Sequence, residues 1–323
     1  MMEPATSILT TTADTHPRKP RYRRSEAVSF QLQRRDLEII RLVHKHRFLS
    51  SEHIIALLPG SRKGILRRLH FLFHGKYLDR PLEQIKPFVL GSRPLIYAVG
   101  PLGADLLNEE LGIFCGKVDW AGKNREVKRI YLEHTLMVAH FMVCLEIACR
   151  KHGGIRIIET EEIVRDRPIL RVKGNFKFKG QVKYISYSLE PDKVFGLHFL
   201  DEPEGSNRAF FLLEADRSTM PVRRINPYKS SFEKKIRGYW ECWQKGAFKE
   251  VFGFQNARVL TLAKSNERIQ TMSSVCRELG EKGKGSRMFL FTVESNFMLA
   301  DVDQVLAPVW QSATDDRLMS LVE

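Results

Sequence analysis

Residues 209–216 read Ala-Phe-Phe-Leu-Leu-Glu-Ala-Asp, a continuous apolar run that closes on two carboxylates, Glu214 and Asp216. An unbroken apolar run of this length predicts a strand buried on both faces, as at the centre of an α/β sheet. Upstream, Pro191-Asp192 opens a second apolar strand, Val194 to Phe199. Downstream the pattern predicts a helix from about Tyr228 to Gln244, a strand Arg258–Leu262, a helix Glu267–Glu278 and a strand Met288–Thr292. Strand-helix-strand-helix-strand is α/β order. Further upstream lie a long apolar helix, Tyr131–Lys151, a β-branched strand, Ile155–Ile158, and an alternating segment, Lys183–Leu189.

A charge at the end of a buried strand is costly unless it is paired or bound to a cation. Asp192, Glu214 and Asp216, converging from neighbouring strand ends, would form a cage of hard oxygens suited to Mg²⁺ or Mn²⁺. Such an ion activates water and stabilises charge on a phosphate during hydrolysis. Pro-Asp followed on the next strand by Glu-x-(Lys or Asp) is the general form of PD-(D/E)xK nuclease sites. Lys235, within Glu233-Lys234-Lys235-Ile236-Arg237-Gly238-Tyr239, falls on the following helix, from which it could reach the carboxylates. The competing reading is an exposed lysine in a charge run. His134, beside Glu133, reads as structural, with Glu133 or Glu146 open as a further carboxylate. His70 and His74 have a zinc-binding spacing but no third ligand nearby, and read as surface residues. Tyr228 and Tyr239 are conceivable nucleophiles for covalent nicking, without the His-rich metal triad such a scheme uses. Walker A, GxGxxG, GxSxG and HExxH motifs are absent.

The N-terminal third has a different character. Residues 1–100 hold 18 Lys/Arg against 8 Asp/Glu, a net +10 out of the chain's +14. Positive charge concentrated in one third points to a polyanion touching that third, against the plainer reading of a solvated basic surface. Residues 1–28 lack apolar periodicity and predict a disordered arm. Within it Arg18, Lys19, Arg21, Arg23 and Arg24 could follow phosphates or enter a minor groove. Three short helices follow: one from Gln33, a second over Glu52–Leu58 capped by Ser50 or Ser51, and a third over Arg62–His74. The third carries Arg62, Lys63, Arg67 and Arg68 on its first turns. Leu82–Val99 reads as two strands around Gly91-Ser92-Arg93-Pro94. Three helices closed by a hairpin suit a winged helix, with the third helix in the major groove and the hairpin, including Arg93, on the backbone. The periodicity equally suits a small helical bundle, and the Arg/Lys cluster on the third helix favours DNA. Pro101–Glu110 predicts another helix, and the polar stretch from Gly112 to Arg125 predicts a boundary.

The five cysteines, Cys115, Cys144, Cys149, Cys242 and Cys276, are scattered without a CxxC pair, which disfavours a disulfide framework or structural zinc. No stretch reads as a signal peptide or as a bilayer span of about 20 apolar residues. The expected compartment is the cytoplasm.

With these residues assembled, the chain resembles the replication-relaxation family of plasmid and integrative-element proteins, and through it the MOB-C class of conjugative relaxases. The resemblance rests on Arg35-Asp36-Leu37-Glu38-Ile39-Ile40, on Arg67-Arg68-Leu69 with Lys76-Tyr77-Leu78, and on Ile96-Tyr97-Ala98-Val99-Gly100-Pro101-Leu102-Gly103. Its core lies in His134, Pro191-Asp192, Glu214-Ala215-Asp216-Arg217-Ser218-Thr219, and Lys235 with Tyr239. Ser218 stands where the family often has Gly, and Asp216 where a standard nuclease has its lysine, which leaves that part to Lys235. The resemblance implies a winged helix-turn-helix (residues 29–112), a linker (113–127) and a PD-(D/E)xK-like domain (128–323). It also implies action on double-stranded DNA at a plasmid or element origin in a bacterial cytoplasm. Mobilisation, coupling or replication proteins and a second copy of the chain are its expected partners. Asp192, Glu214 and Asp216 would then serve a Mg²⁺- or Mn²⁺-dependent nick, with Lys235 positioning water. The alternatives are an origin-binding initiator or regulator on a degenerate nuclease fold, or a nuclease of defence or transposition.

Overall fold

The computed structural model describes Arg24 and residues 29–85, 93–113, 115, 120–164, 171–177, 183–280, 285–315 and 317–323. Arg18, Lys19, Arg21, Arg23 and the tip of the expected hairpin lie outside these residues. The fold is mixed α/β, as the element order predicts.

The N-terminal layer contains α1 (Arg34–His46), α2 (Ser51–Leu57) and α3 (Arg62–His74). Ser50 and Ser61 each accept a hydrogen bond from the backbone three residues on, satisfying first-turn amides of α2 and α3. Ile39, Ile40, Val43, Ile54, Ile65, Leu69 and Leu72 are fully buried together, the apolar stripe expected of each helix. Short strands β1 (Leu49–Ser50), β2 (Leu78–Asp79) and β3 (Ile96–Val99) form an antiparallel sheet in the order β1-β3-β2. This corrects the expected strand pair within Leu82–Val99: Leu82–Ile85 is a 3-10 turn, and β3 pairs instead with Leu78–Asp79. The sequence Gly100-Pro101-Leu102-Gly103 then starts α4 (Pro101–Leu111). A Cβ on Gly100 would lie 2.3 Å from the Lys76 carbonyl oxygen, and one on Gly103 2.1 Å from that of Tyr77, so only glycine permits this approach. The stretch expected to be a plain linker contains α5 (Trp120–Arg125).

The principal sheet has seven strands among the described residues, in the order β12-β11-β10-β9-β8-β7-β4. They are β4 (Ile155–Ile158), β7 (Lys193–Phe199), β8 (Arg208–Ala215), β9 (Arg258–Ala263), β10 (Phe289–Val293), β11 (Trp310–Ser312) and β12 (Leu318–Met319). β4, β7 and β8 are antiparallel, whereas β8, β9 and β10 run parallel, joined through α8 (Phe232–Gln244), α9 (Ala247–Phe252) and α10 (Asn266–Arg277). Alternate residues feed two cores: Phe195, Phe211 and Leu213 face α6 (Arg129–His152), while Val194 and Leu212 face α8 and α10. Each such side chain, fully buried, contributes about 1.5–3 kcal/mol. A hairpin of β5 (Val172–Phe176) and β6 (Ile185–Leu189) packs on α8, and α7 (Thr160–Val164) follows β4. By length and composition α6 could cross a membrane; here it is a core helix, with Phe141, Cys144 and Leu145 buried against the sheet. Its Ala139 and Val143 are also buried, against the N-terminal layer.

Candidate functional site

The antiparallel register pairs Lys193 with Leu213, which sets Asp192 beside Glu214 at the ends of β7 and β8. The Asp192 amide donates to the Leu213 carbonyl (3.0 Å), and Asp192 Oδ2 accepts from the Ala215 amide (2.8 Å). This backbone clasp fixes the carboxylate. Its other oxygen, Oδ1, lies 3.0 Å from His134 Nε2 on the second turn of α6. The bond to Asp192 holds the His134 imidazole above its ordinary pKa despite partial burial.

Glu214 is buried at 4% exposure, and both its oxygens are taken by α8. Lys235 Nζ donates to Oε2 and the Tyr239 hydroxyl to Oε1, each at 2.5 Å. Lys235 and Tyr239 stand one turn apart, so one helical face presents both donors. Ser231 starts this helix as its N-cap, accepting from the Lys234 amide. Burial raises the Glu214 carboxyl above the usual carboxylate range, opposed by Lys235 and reinforced by Asp192. Burial works to lower Lys235, yet Glu214, Asp192 and Asp216 prevail and hold it above the usual lysine value. Burial, with Glu214 alongside, drives the Tyr239 phenol well above its ordinary pKa. The Tyr239 hydroxyl thus serves as a donor to Glu214.

Asp216 differs from the other two carboxylates. Arg268, on α10, grips it with Nε and Nη2 at 2.6 and 3.0 Å. Among the described residues no group of three or more His, Cys, Asp or Glu side chains is disposed to hold a metal ion. The expected three-carboxylate cage does not form in this arrangement, because Asp216 is neutralised by Arg268. Asp192 and Glu214 remain, near enough that the first raises the pKa of the second. Each of their four oxygens already accepts one partner: Lys235, Tyr239, the Ala215 amide or His134. Only the second lone pair of each is thus left for a Mg²⁺, an ion commonly held by one or two carboxylates plus substrate phosphate.

Glu133 does not join the site carboxylates; it pairs with Arg129 and Arg217. Glu146 pairs with Lys45 and Arg150. Ser218 adopts φ +58°, the left-handed backbone that favours glycine, directly after the Glu214–Arg217 strand end. A pocket of about 390 Å³ opens on Glu214 and Lys235, walled by Ile130, Tyr131, Met220 and Phe232. Arg268, after Val259-Leu260-Thr261, is one of the positions that resemble the family, but no sequence pattern gives it a partner in the site, and none marks Ile130 or Tyr131. Lys235 and Tyr239, one turn apart after an acidic strand end, carry a legible signal.

On the N-terminal layer, Lys63 and Arg67 are exposed on α3, and Arg93 is exposed before β3. Arg62 is exposed too, but forms a two-pronged ion pair with Glu52 at 2.5 and 2.6 Å. Arg68 turns inward to the fully buried Asp36, 2.8 Å from Nε, and lies over the Phe30 and Phe71 rings. Arg24 pairs with Asp79 at 3.0 Å and stacks on Phe73. His70 and His74 lie with ring centroids 4.3 Å apart.

Residues 40–256 match the family model described as replication-relaxation. No curated protein and no solved structure matches the chain.

Proposed function

The chain belongs to the replication-relaxation family, and from that premise we propose that it is a DNA-binding protein that nicks one strand at a plasmid or mobile-element origin. The observation that carries this reading is the joining of Asp192–His134 to Glu214–Lys235–Tyr239 at adjacent strand ends beside an open pocket. A core of α6, β4, β7, β8, α8 and β9, interrupted by α7, the β5–β6 hairpin and α9, with an antiparallel triplet followed by a parallel strand, supports a PD-(D/E)xK-like domain. Three capped helices with a small sheet support a winged helix-turn-helix, and Lys63, Arg67 and Arg93 supply its free-facing cations. A kinship to MOB-C relaxases is part of the same proposal.

In this mechanism the N-terminal layer sets register through phosphate and groove contacts. Asp192 and Glu214 would hold Mg²⁺ or Mn²⁺, which when bound supplies Lewis-acid stabilisation and a more acidic water. The Lys235 ammonium, fixed by Glu214, orients a phosphate oxygen or the attacking water. His134, whose charged form the bond to Asp192 favours, can give a proton to the leaving oxygen, while the attacking water loses its own to bulk solvent. Tyr239 keeps Glu214 in place and takes no proton. A nicking assay on supercoiled plasmid carrying the candidate origin, with Mg²⁺ or Mn²⁺, tests the proposal. Absence of relaxation with either metal, alongside tight salt-sensitive binding, would overturn it. That outcome would favour a second reading, an origin-binding initiator or regulator on an inactive fold, which the Asp216–Arg268 pair already supports.

A further inference from the structure

The pocket beside Glu214 has a divided character. Its lining joins charged and polar side chains, Glu214, Lys235 and His134 with Lys128, Asp216, Arg217 and Thr219, to the apolar Ile130, Tyr131, Met220 and Phe232. Two of these apolar walls, Ile130 and Tyr131, are 65% and 52% exposed on the first turn of α6. Neither is there merely to close the core. The Tyr131 ring is held edge-on by Phe48, centroids 6.3 Å apart, and its hydroxyl bonds Arg47. A planar, half-exposed ring is thus steadied by residues of the N-terminal layer. A ligand matching this pocket needs an anionic group for Lys235 and a flat apolar body for the walls. A nucleotide meets both needs. A nucleotide stacked inside a duplex does not, because both faces of its base are covered by neighbouring bases and only its edges reach the grooves.

A second feature lies on the loop between β8 and α8. Met220, on this loop, walls the pocket, and farther along the same loop Ile225 is fully exposed, at 106%. A single exposed apolar residue is ordinary. This one stands beside Arg223 and Arg224, with Tyr228 and Lys229 close behind. The loop is braced: Arg224 Nε donates to the Ser230 carbonyl (2.8 Å), and Lys234 Nζ to that of Tyr228 (3.1 Å). An apolar tip on a braced basic loop is the form of the side chains that proteins push between base steps to unstack them.

We propose that the pocket between Tyr131 and Glu214 receives one unpaired nucleotide base of DNA, and that Ile225 is the wedge that frees it. This inference rests on the DNA reading above and narrows its substrate to duplex that is locally melted. Aromatic stacking of a freed base contributes about 1–3 kcal/mol and tolerates any base, so it needs no sequence code in the pocket.

The test is a binding titration of the full chain, in chelator so that no strand is cut. The probes are a fluorescent duplex and the same duplex with a central bubble of mismatched bases. The expected result is a bubble preference of about tenfold, the scale of one stacked base. Tyr131→Ala and Ile225→Ala should each erase most of that preference, while Tyr131→Phe retains it and duplex affinity stays unchanged. Equal affinity for both probes, or a full preference surviving in both alanine variants, overturns the inference. Ile225 makes no core contact to lose, so that variant keeps the test valid even if Tyr131→Ala folds poorly. Because cutting is suppressed, a bubble preference without plasmid nicking would sink the nuclease reading and leave this one standing. The converse result would do the reverse.

Discussion

Arg268 holds Asp216 by two parallel hydrogen bonds, and its Nη2 donates in addition to the Met220 carbonyl at 2.5 Å. Both charges are mostly out of solvent, with side chains 15% and 8% exposed. Removing one partner of a buried pair strands the other without compensation. Arg268→Ala should therefore destabilise the fold by about 3–5 kcal/mol, read as a lowered urea midpoint. A loss under about 1 kcal/mol, the scale of a surface pair, would show that Asp216 does not depend on it.

Asp192→Ala and Glu214→Ala should each lower plasmid nicking by at least about a hundredfold, the scale of a lost proton-transfer or charge-stabilising group. DNA affinity should hold within about twofold, since the cations proposed to contact DNA lie on another layer. Asp216→Asn, which leaves the Arg268 charge uncompensated, should lower stability but keep most activity in the folded fraction. If it abolished nicking as fully as Asp192→Ala, Asp216 would belong with the working carboxylates and not with the structural pair.

The arginines of α3 should divide by direction. Lys63→Ala and Arg67→Ala, both exposed, should leave unfolding unchanged and reduce the salt slope of DNA binding by about one each. Arg68→Ala should instead lower stability by about 3 kcal/mol, because Asp36 beneath it is fully buried. Equal effects of Arg67→Ala and Arg68→Ala on stability would contradict this division.

A buried histidine pair gives the pH dependence. His53 Nε2 and His140 Nδ1 lie 3.0 Å apart between α2 and α6, and His140 Nε2 is 2.9 Å from the Phe297 carbonyl oxygen. Burial, with His140 and His46 nearby, lowers His53 from 6.5 to about 3. A depressed histidine contributes stability that is present above 6.5 and is lost as pH falls toward 3. Between those limits stability should fall by roughly 1.4 kcal/mol per pH unit on account of this group alone. His53→Asn, which cannot be charged, should flatten that acid limb in urea titrations. An unchanged slope would assign the acid sensitivity elsewhere.

The strand ends and the helix after them were legible because burial imposes an apolar run and chemistry adds carboxylates to its end. Glu214, Lys235 and Asp192 could be proposed as a group on that basis. Arg268 matches the family by position, but its pairing with Asp216 depends on the α10 crossover from β9 to β10 lying over the end of β8, which no local pattern shows. Leu82–Ile85 looked extended from its apolar residues, yet Pro81 precedes it and a 3-10 turn takes the segment. Strands of two or three residues, such as Leu318–Met319, show no period at all and emerge only from pairing. Arg68 carried the same charge signal as Arg67; only the buried Asp36 below it distinguishes the two.

Helix α6 is shared: Ala139 and Val143 are buried with the N-terminal layer, Phe141 and Leu145 with the sheet, and His134 reaches Asp192. Because one helix seals both cores, the surface proposed to read DNA and the pocket proposed to act on it are tied to the same element. For the proposed activity α6 is a ruler. The cut should fall at a constant offset from the recognised sequence, and inserting base pairs between them should abolish cutting instead of moving it.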